Sequence, residues 1–368
     1  MSGGANGGPG GGPGEGAGPR GAGGGGAPAF VLDMRDRRPV WALPEWAIQE
    51  IRDALPEGWE FRLVDGFADG TGDGSGGLKP ETLAALPGAV VYCGFGIPAE
   101  ILRAGTSLRW VHSGSAGVGS SITPEMKASH VLFTNSAGIH GPPMAETVVG
   151  HILYFARGLD LAVHGQREGR WNTEPFYAGD TPVREVAGGT VGILGYGGIG
   201  VEVAARVLPL GARVLGLKRR PGGDAPEGVE LLHGEEGLDR LLAESDWLVV
   251  TAPDTPETRG LLTRERIGGM KPGAVFINVA RGAIADEDAL VEALRSGRLR
   301  GAALDVFAQE PLAPGHPFWT LPGVLVSPHV SPVSRGFWRR QVDLILANLE
   351  AFLAGEPLRN QVDREAGY

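Results

Sequence analysis

The sequence predicts an α/β protein with two doubly wound parallel sheets, and three features of the chain support this fold class. Apolar runs typical of strands alternate with helical patterns, as in parallel sheets that carry helices on both faces. A glycine-rich turn at 195–200 joins one such strand to a helix. The 368 residues are also enough for two domains.

The first α/β unit is expected over residues 29–136. Its predicted strands are 30–33, 59–64, 89–93, 108–112 and 131–134, and its predicted helices are 44–55, 99–104 and 123–128. Residues 1–28 are mostly Gly, Pro and Ala, with almost no side chain to bury, so a disordered tail is expected there.

The second unit is expected over residues 137–333. A long helix is predicted over 143–164, because apolar side chains recur there at three- and four-residue intervals. After the strand that starts at 190, further strands are predicted at 212–217, 247–250, 274–278, 301–305 and 324–326, with helices at 201–208, 238–243 and 286–296. A last helix at 337–353 is expected to cross back, which assigns residues 334–368 to the first unit.

Composition excludes several classes of function. A formal net charge of -10 argues against non-specific binding to nucleic acid, which requires a basic face. No apolar run approaches the roughly 20 residues of a membrane span, and the chain does not begin with a signal-peptide pattern. The single Cys93 excludes an internal disulfide and suits a reducing cytosol, so a cytoplasmic location is expected. His112 and His140 lack the spacing of metal ligands, so no metal site is expected.

The turn at 195–200 carries the spacing G-x-G-x-x-G. Gly195 permits a tight turn, Gly197 lets the backbone approach a pyrophosphate, and Gly200 lets the helix pack on the strand. The helix N-terminus then offers free N–H groups and the positive end of its dipole to phosphates. The alternative is a glycine-rich turn without a ligand, but the strand before it and the helix after it favour dinucleotide binding.

Three cations at the end of the next strand bear on the choice of dinucleotide. NAD-specific sites place Asp or Glu about 20 residues after the glycines, where the carboxylate binds the ribose hydroxyls. Here the chain has Lys218, Arg219 and Arg220 at that point, and Asp224 and Glu227 lie just beyond. Because Arg can bind a 2′-phosphate that a carboxylate would repel, NADP(H) is predicted, with a looser NAD(H) site as the alternative.

Several blocks occur in one order along the chain, at 113–118, 195–200, 251–253, 258–261, 277–282, 304–312 and 327–330. Together they resemble the D-isomer-specific 2-hydroxyacid dehydrogenase family, and glyoxylate/hydroxypyruvate reductases within it. The resemblance implies a Rossmann dinucleotide-binding domain inserted into a flavodoxin-like substrate domain built from both chain ends. It also implies a homodimer formed through the long helix near Glu146 to Leu161.

The resemblance extends to individual cofactor contacts. It implies that the dinucleotide is bound by Gly195, Tyr196, Gly197, Gly198, Ile199, Gly200, Lys218, Arg219, Arg220, Thr251, Ala252, Pro253, Thr258, Val279, Ala280, Arg281, Asp305 and His329.

Reduction of a 2-oxo acid requires groups that hold the carboxylate, polarise the carbonyl and deliver a proton. The Arg281 guanidinium is suited to the two oxygens, and its alternative is a surface ion pair with Asp286. His329 is the candidate acid and base, because imidazole titrates near neutral pH. Glu310 is its candidate partner; the alternatives are a structural histidine and a solvated acid. The resemblance implies that Arg281, Glu310 and His329 form the catalytic triad.

Small residues at Ser115, Ala116, Gly117 and Val118 let a substrate carboxylate lie against main-chain N–H groups, unless this is an ordinary flexible turn. Phe95 and Gly96 are expected to line the same pocket, with Arg281. The loop 93–100 has no Lys or Arg to hold a phosphate, which favours an unphosphorylated acid. The predicted function is therefore hydride transfer between a nicotinamide cofactor and a small 2-oxo or D-2-hydroxy acid. The alternatives are a dinucleotide-sensing scaffold, and formate or phosphite oxidation on the same fold.

Overall fold

The computed structural model describes residues 26–67, 78–365 and 367. The chain divides into two compact units, one formed by the described residues up to Ala137 and from Trp338 onward, the other by residues 138–337. The boundaries expected from the sequence were 136/137 and 333/334. The predicted tail falls outside the described residues up to position 25, and residues 26–28 lead into the first strand.

The first unit contains a five-stranded parallel sheet. Its strands are β1 (Ala29–Asp33), β2 (Glu60–Leu63), β3 (Ala89–Gly94), β4 (Trp110–Ser113) and β5 (Leu132–Asn135). Its first helices are α1 (Glu45–Asp53), α2 (Pro80–Ala85), α3 (Ala99–Ala104) and α4 (Pro124–Ala128). The strand order β2-β1-β3-β4-β5 is that of flavodoxin-like sheets, whose ligands bind at the carboxyl ends of the strands.

The second unit contains a seven-stranded parallel sheet. Its strands are β6 (Thr190–Leu194), β7 (Arg213–Leu217), β8 (Val229–Leu232), β9 (Trp247–Val250), β10 (Val275–Asn278), β11 (Gly301–Leu304) and β12 (Val324–Val326). Its helices are α5 (Gly141–Ala156), α6 (Leu159–Arg167), α7 (Glu174–Tyr177), α8 (Gly198–Val207), α9 (Gly234–Glu244), α10 (Arg264–Gly268) and α11 (Glu287–Arg295).

The strands of this second sheet lie in the order β12-β11-β10-β9-β6-β7-β8. One apolar cluster joins the sheet to α9, α10 and α11, and another joins it to α5 and α8. Both sheets therefore confirm the predicted doubly wound α/β class. The strand order reverses between β6 and β9, which is the point where open α/β sheets bind dinucleotides.

The structure corrects the predicted long helix over 143–164. The helix ends at Ala156 and a second one begins at Leu159, because Gly158 between them has a left-handed backbone with φ of +65°. A Cβ at Gly158 would also lie 2.8 Å from a methyl group of Val183. The apolar periodicity continues across the break, which is why the sequence pattern did not reveal it.

The helix α12 (Phe337–Ala354) returns the chain to the first unit. The Trp338 indole donates a 3.1 Å hydrogen bond to the Trp41 carbonyl. Residues 359–362 then lie antiparallel to β5, where the Val362 N–H donates to the Phe133 carbonyl at 2.8 Å. Among the described helices, none is both long and apolar enough to cross a bilayer.

Candidate active site

The glycine turn after β6 has the geometry that its spacing predicts. Gly195 has φ of +98°, and a Cβ there would lie 2.5 Å from the main chain of Ala252, the residue that follows Thr251 after β9. A Cβ at Gly200 would lie 3.0 Å from the Gly195 carbonyl and from a methyl group of Ile193, so glycine lets α8 approach β6. The Thr251 hydroxyl donates a 2.8 Å hydrogen bond to the Gly195 carbonyl. This bond joins the loops after β9 and β6, between which the strand order reverses.

The main chain of this turn is open at Gly197, the residue predicted to approach a pyrophosphate. Apart from its chain neighbours, none of the described residues would lie within 4 Å of a Cβ at Gly197. The helix α8 begins at Gly198, and its N-cap residue Gly197 has no side chain to cap the first turn, which leaves the N–H groups of the N-terminus open to an anion. The predicted contact Ala252 lies against the turn at Gly195. The predicted contact Pro253 follows it in a loop that the Thr258 hydroxyl closes with a 2.5 Å bond to the Pro253 carbonyl.

The three cations lie next to this turn. The Leu217 carbonyl at the end of β7 accepts hydrogen bonds from the N–H groups of Gly195 and Tyr196, at 3.1 and 2.8 Å. Lys218, Arg219 and Arg220 follow directly, and both arginines are exposed. The Tyr196 ring is buried and packs on Gly216, where a Cβ would lie 2.5 Å from a ring carbon.

Arg219 also lies close to the loop after β9. The pKa of the Glu257 carboxyl in that loop is lowered, because the Thr255 hydroxyl and its own main-chain N–H donate to it and the Arg219 cation adds to the effect. Arg219, which follows β7, is therefore close enough to the loop after β9 to act on the Glu257 carboxylate.

Arg281 lies in the turn after β10. The Asn278 side chain fixes this turn, because its amide donates 3.0 Å to the Arg281 carbonyl and its oxygen accepts from the Ala280 N–H at 3.0 Å. In the part of the chain that the structure describes, the exposed Arg281 guanidinium has no carboxylate partner. Asp286, the alternative partner, instead caps α11 by accepting from the Ala289 N–H at 2.9 Å.

Glu310 and His329 follow the next two strands, β11 and β12, and the structure brings them together. His329 Nδ1 lies 2.7 Å from Glu310 Oε2, while Glu310 Oε1 accepts from the Phe307 N–H at 3.0 Å. An ionised carboxylate only accepts hydrogen bonds, so Nδ1 carries the proton of this bond. The pair thereby leaves Nε2 as the nitrogen that can exchange a proton with a ligand.

The backbone of His329 is held in an uncommon conformation. Its φ is +54°, and its N–H donates to the carbonyls of Asp305 at 2.8 Å and of Ser327 at 3.1 Å. The buried Asp305 carboxylate accepts from the Ser327 hydroxyl at 2.6 Å and from the N–H groups of Val330 and Ser331 at 3.0 and 2.9 Å. Burial opposes the charge of Asp305, but these hydrogen bonds outweigh it and lower the pKa of the carboxyl. Asp305 therefore anchors the loop that carries His329.

In the first unit, the loop 115–118 follows β4. The Ser136 N–H donates to the Ser115 carbonyl at 3.2 Å, and the Asn135 amide donates to the Ala116 carbonyl at 2.8 Å. Within the described residues, the N–H groups of Ala116, Gly117 and Val118 have no acceptor. The loop thus presents three consecutive donors to a ligand, which suits a carboxylate.

Phe95 and Gly96, which follow β3, lie beside this loop, since the Ser115 hydroxyl donates a 2.9 Å bond to the Phe95 carbonyl. Sequence reasoning did not find Asn135 and Ser136. The signal available was a pair of polar residues that ends β5 at the same edge of the sheet.

His112 is one of the two histidines at which no metal site was expected. Its side chain is buried and neutral. Its Nδ1 lies 2.8 Å from the Thr134 hydroxyl, its Nε2 lies 2.8 Å from the Gln341 amide, and burial lowers its pKa to about 3. No group of three or more His, Cys, Asp or Glu that could hold a metal occurs among the described residues.

Comparisons with known proteins identify the family of this chain. The family model "D-isomer specific 2-hydroxyacid dehydrogenase, NAD binding domain" matches residues 149–331. The chain is 33% identical over 327 residues to glyoxylate/hydroxypyruvate reductase B of Pectobacterium carotovorum, with 89% of this chain and 98% of that protein covered. The chain belongs to the D-isomer-specific 2-hydroxyacid dehydrogenases. This is a family of nicotinamide-dependent oxidoreductases.

Two further members of this dehydrogenase family are informative. D-3-phosphoglycerate dehydrogenase of Mycobacterium leprae is 33% identical over 334 residues, which cover 89% of this chain but only 60% of that protein. A family member from Xanthobacter autotrophicus, solved in complex with NADPH and MES, is 34% identical with a TM-score of 0.73. That match covers 93% of this chain and 100% of the solved chain.

In this dehydrogenase, the predicted catalytic residues Arg281, Glu310 and His329 follow the three adjacent strands β10, β11 and β12. The predicted contacts Val279 and Ala280 are buried in the turn that leads to Arg281. The predicted carboxylate loop belongs to the other unit.

Proposed function

We propose that this dehydrogenase reduces a small, unphosphorylated 2-oxo acid to the D-2-hydroxy acid, with NADPH as the hydride donor. The observation that carries the proposal is the 2.7 Å bond between His329 Nδ1 and Glu310 Oε2 in the sheet that also carries the glycine turn. The name of the Pectobacterium relative, a glyoxylate/hydroxypyruvate reductase, supports this substrate class. The loop 93–100, which has no Lys or Arg, supports a substrate without a phosphate.

Each group has a defined task in the proposed reaction. The bound NADPH supplies the hydride that the carbonyl carbon receives. His329 Nε2 donates a proton to the carbonyl oxygen, and Glu310 holds the imidazole and stabilises its charged form. The Arg281 guanidinium binds the carbonyl and carboxylate oxygens. The N–H groups of the loop 115–118 are proposed as donors to a carboxylate. In the direction of oxidation, His329 accepts the proton.

The preference for NADP(H) rests on the end of β7. No acid occupies the position where a carboxylate would bind the ribose hydroxyls, and Lys218, Arg219 and Arg220 stand there instead. Guanidinium groups bind phosphate in a bidentate manner, so these side chains suit a 2′-phosphate. The solved relative from Xanthobacter autotrophicus contains NADPH, which supports the same preference.

The proposal also covers the assembly of the enzyme and its location in the cell. A homodimer forms through α5 and the start of α6, around Glu146 to Leu161. The free, buried thiol of Cys93 suits a reducing compartment, and we therefore place the enzyme in the cytoplasm.

The decisive experiment follows NADPH oxidation with glyoxylate, hydroxypyruvate and phenylpyruvate. Removal of the acid–base group in His329→Ala is expected to lower kcat by at least about a hundredfold, while the variant still binds NADPH through the glycine turn. The matched control His130→Ala, an exposed histidine in the other unit, should keep full turnover.

Other outcomes would contradict the proposal. Tight NADPH binding without turnover of any 2-oxo acid would instead indicate a dinucleotide-sensing scaffold. Reduction of NADP⁺ by formate or phosphite would indicate different chemistry on the same fold.

A further inference from the structure

The carbonyl groups of the loop 115–118 determine where its N–H groups point. A peptide unit is planar and trans, so a carbonyl and the N–H of the next residue point in opposite directions. The Ser115 carbonyl accepts from the Ser136 N–H at 3.2 Å, and the Ala116 carbonyl accepts from the Asn135 amide at 2.8 Å. These two bonds pull both carbonyls toward the end of β5 and aim the N–H groups of Ala116 and Gly117 away from it.

Asn135 is itself fixed at several atoms. Its side-chain oxygen accepts from the Ala137 N–H at 3.1 Å, so the amide group cannot rotate away from Ala116 without breaking a second bond. Its main-chain N–H donates to the Asn360 carbonyl at 3.1 Å. The Asn360 amide donates in return to the carbonyls of Asn135 at 3.3 Å and Ala137 at 2.7 Å.

Asn360 can make these bonds because of its backbone conformation. Its φ is +54°, in the left-handed region that asparagine tolerates better than most residues. The segment that carries it is held on both sides. The buried Asn348 of α12 bonds both main-chain groups of Arg359, and Gln361 pairs with Thr134 of β5.

We propose that Asn135 and Asn360 are positioning residues that set the affinity of the enzyme for the substrate carboxylate. They hold the loop 115–118 with its N–H groups aimed at the carboxylate, although neither side chain is assigned a contact with the substrate. The inference rests on the proposed function, because it takes that loop as the carboxylate site. It also gives residues near 360 a part in substrate binding, although they lie more than two hundred positions away in sequence.

The test compares three variants in the full-length protein. Asn135→Ala removes the bond to the Ala116 carbonyl. Asn360→Gly keeps the left-handed backbone, which glycine adopts readily, and removes both amide bonds. The control Arg62→Ala removes a side chain that donates to the main-chain carbonyls of Ala85 and Pro87. These two residues precede β3, so the control acts at the amino ends of the strands, whereas the loop 115–118 follows a carboxyl end.

Both asparagine variants should raise the KM for the 2-oxo acid by roughly tenfold, since a loosened loop weakens contacts worth about one tenfold step in affinity. Their kcat should change by less than about threefold, and the Kd for NADPH should not change. A purely structural role would lower the active fraction, and thus the apparent kcat, without moving KM. The Arg62→Ala control should show that second pattern or no change at all.

The outcomes separate the inference from the proposed function. A wild-type protein that reduces no 2-oxo acid overturns the proposed function, and the inference with it. A wild-type protein that turns over, with an unchanged KM in the soluble variants, overturns the inference alone. Should Asn135→Ala fail to fold, Asn360→Gly decides, because it removes the amide bonds that hold the carbonyls of Asn135 and Ala137 while it keeps the left-handed backbone.

Discussion

At the scale of single residues, the candidate site depends on which atoms of each side chain are already bonded. Glu310 uses one oxygen to hold the Phe307 N–H and the other to hold His329. Arg281 has no carboxylate partner within the described residues, so its charge is available to an anionic ligand. The same distinction separates a catalytic histidine from a structural one, since both ring nitrogens of His112 are bonded inside the first unit.

The cations at the end of β7 give a prediction about cofactor choice. Arg219→Asp should lower the ratio of kcat/KM for NADPH to that for NADH by about tenfold or more, because it replaces a phosphate-binding cation by an anion. Steady-state kinetics with both cofactors provide the measurement. Lys127→Asp, on an exposed face of the first unit, makes the same change in net charge and should leave the ratio unaltered. An unchanged ratio in Arg219→Asp would contradict the proposed preference.

The buried His112 gives a prediction about stability and pH. Because burial lowers its folded pKa to about 3, the unfolded chain takes up a proton first as the pH falls below about 6.5. The stability of the fold is therefore complete above that pH and decreases below it, by roughly 2 kcal/mol from this residue between pH 7 and pH 5. Burial also lowers the pKa of His151, which acts in the same direction.

Urea unfolding at pH 7 and pH 5 measures this effect as a difference between proteins. His112→Asn should be less stable at pH 7 but should lose about 2 kcal/mol less than the wild type on going to pH 5. The loss of packing in the variant is the same at both pH values. The difference between the two pH values therefore reports only the effect of proton uptake by His112. The exposed His130→Asn should follow the wild type at both pH values, and a parallel decrease in all three proteins would contradict the prediction.

At the scale of elements, the sequence was most informative where a pattern is local. Buried strands such as β9 and β10 are predicted well because they are nearly continuous apolar runs. Thr251 and Arg281 follow the carboxyl ends of these strands, so their place at that end of the sheet is predicted as well. The edge strand β8 was missed, because it contains Glu230 and is only partly buried. Gly158 was missed as a helix break, since a left-handed glycine leaves no trace in apolar periodicity.

Contacts between distant parts of the chain could not be predicted in the same way. The residues of the glycine turn are adjacent in sequence, and their spacing alone fixed the geometry. Asn135 and Asn360 meet only because α12 returns the chain to β5, a pairing that depends on the assembled sheet. The 2.7 Å bond between Glu310 and His329 likewise depends on two strands that end side by side in the sheet. The order of residues along the chain does not give the distance between them.

The turn between β6 and α8 predicts different results for two neighbouring glycines. Gly195→Val should destabilise the fold for two reasons. Its Cβ would lie 2.5 Å from the main chain of Ala252, and valine would have to adopt the φ of +98° that Gly195 has. Gly197→Val should fold normally, because none of the described residues beyond its chain neighbours lies within 4 Å of a Cβ there. It should weaken NADPH binding by at least about tenfold, because the side chain would block the pyrophosphate. Thermal unfolding and fluorescence titration measure the two effects. Unimpaired NADPH binding in Gly197→Val would contradict the assignment of this turn.

At the scale of the whole molecule, the order of units along the chain matters for assembly. The first unit is made of both ends of the chain, and residues 138–337 are inserted between them. The helix α5 begins directly after this first crossing, at Gly141. One side of α5 packs Val148, Ile152 and Phe155 into the core, while another side exposes Glu146 and Gly150. A second copy is proposed to cover that exposed side.

Gly150 allows this assembly to be tested without damage to the fold. Beyond its own helix, a Cβ there would meet none of the described residues within 4 Å. Because arginine is also a better helix former than glycine, Gly150→Arg should fold at least as well as the wild type. If α5 forms the dimer contact, an unpaired buried charge costs about 3 kcal/mol or more and raises the dimer Kd by at least ~100-fold. Light scattering should then show a monomer. Gly268→Arg, at an equally open position on α10, should remain dimeric, and dimers of equal affinity in both variants would place the interface elsewhere.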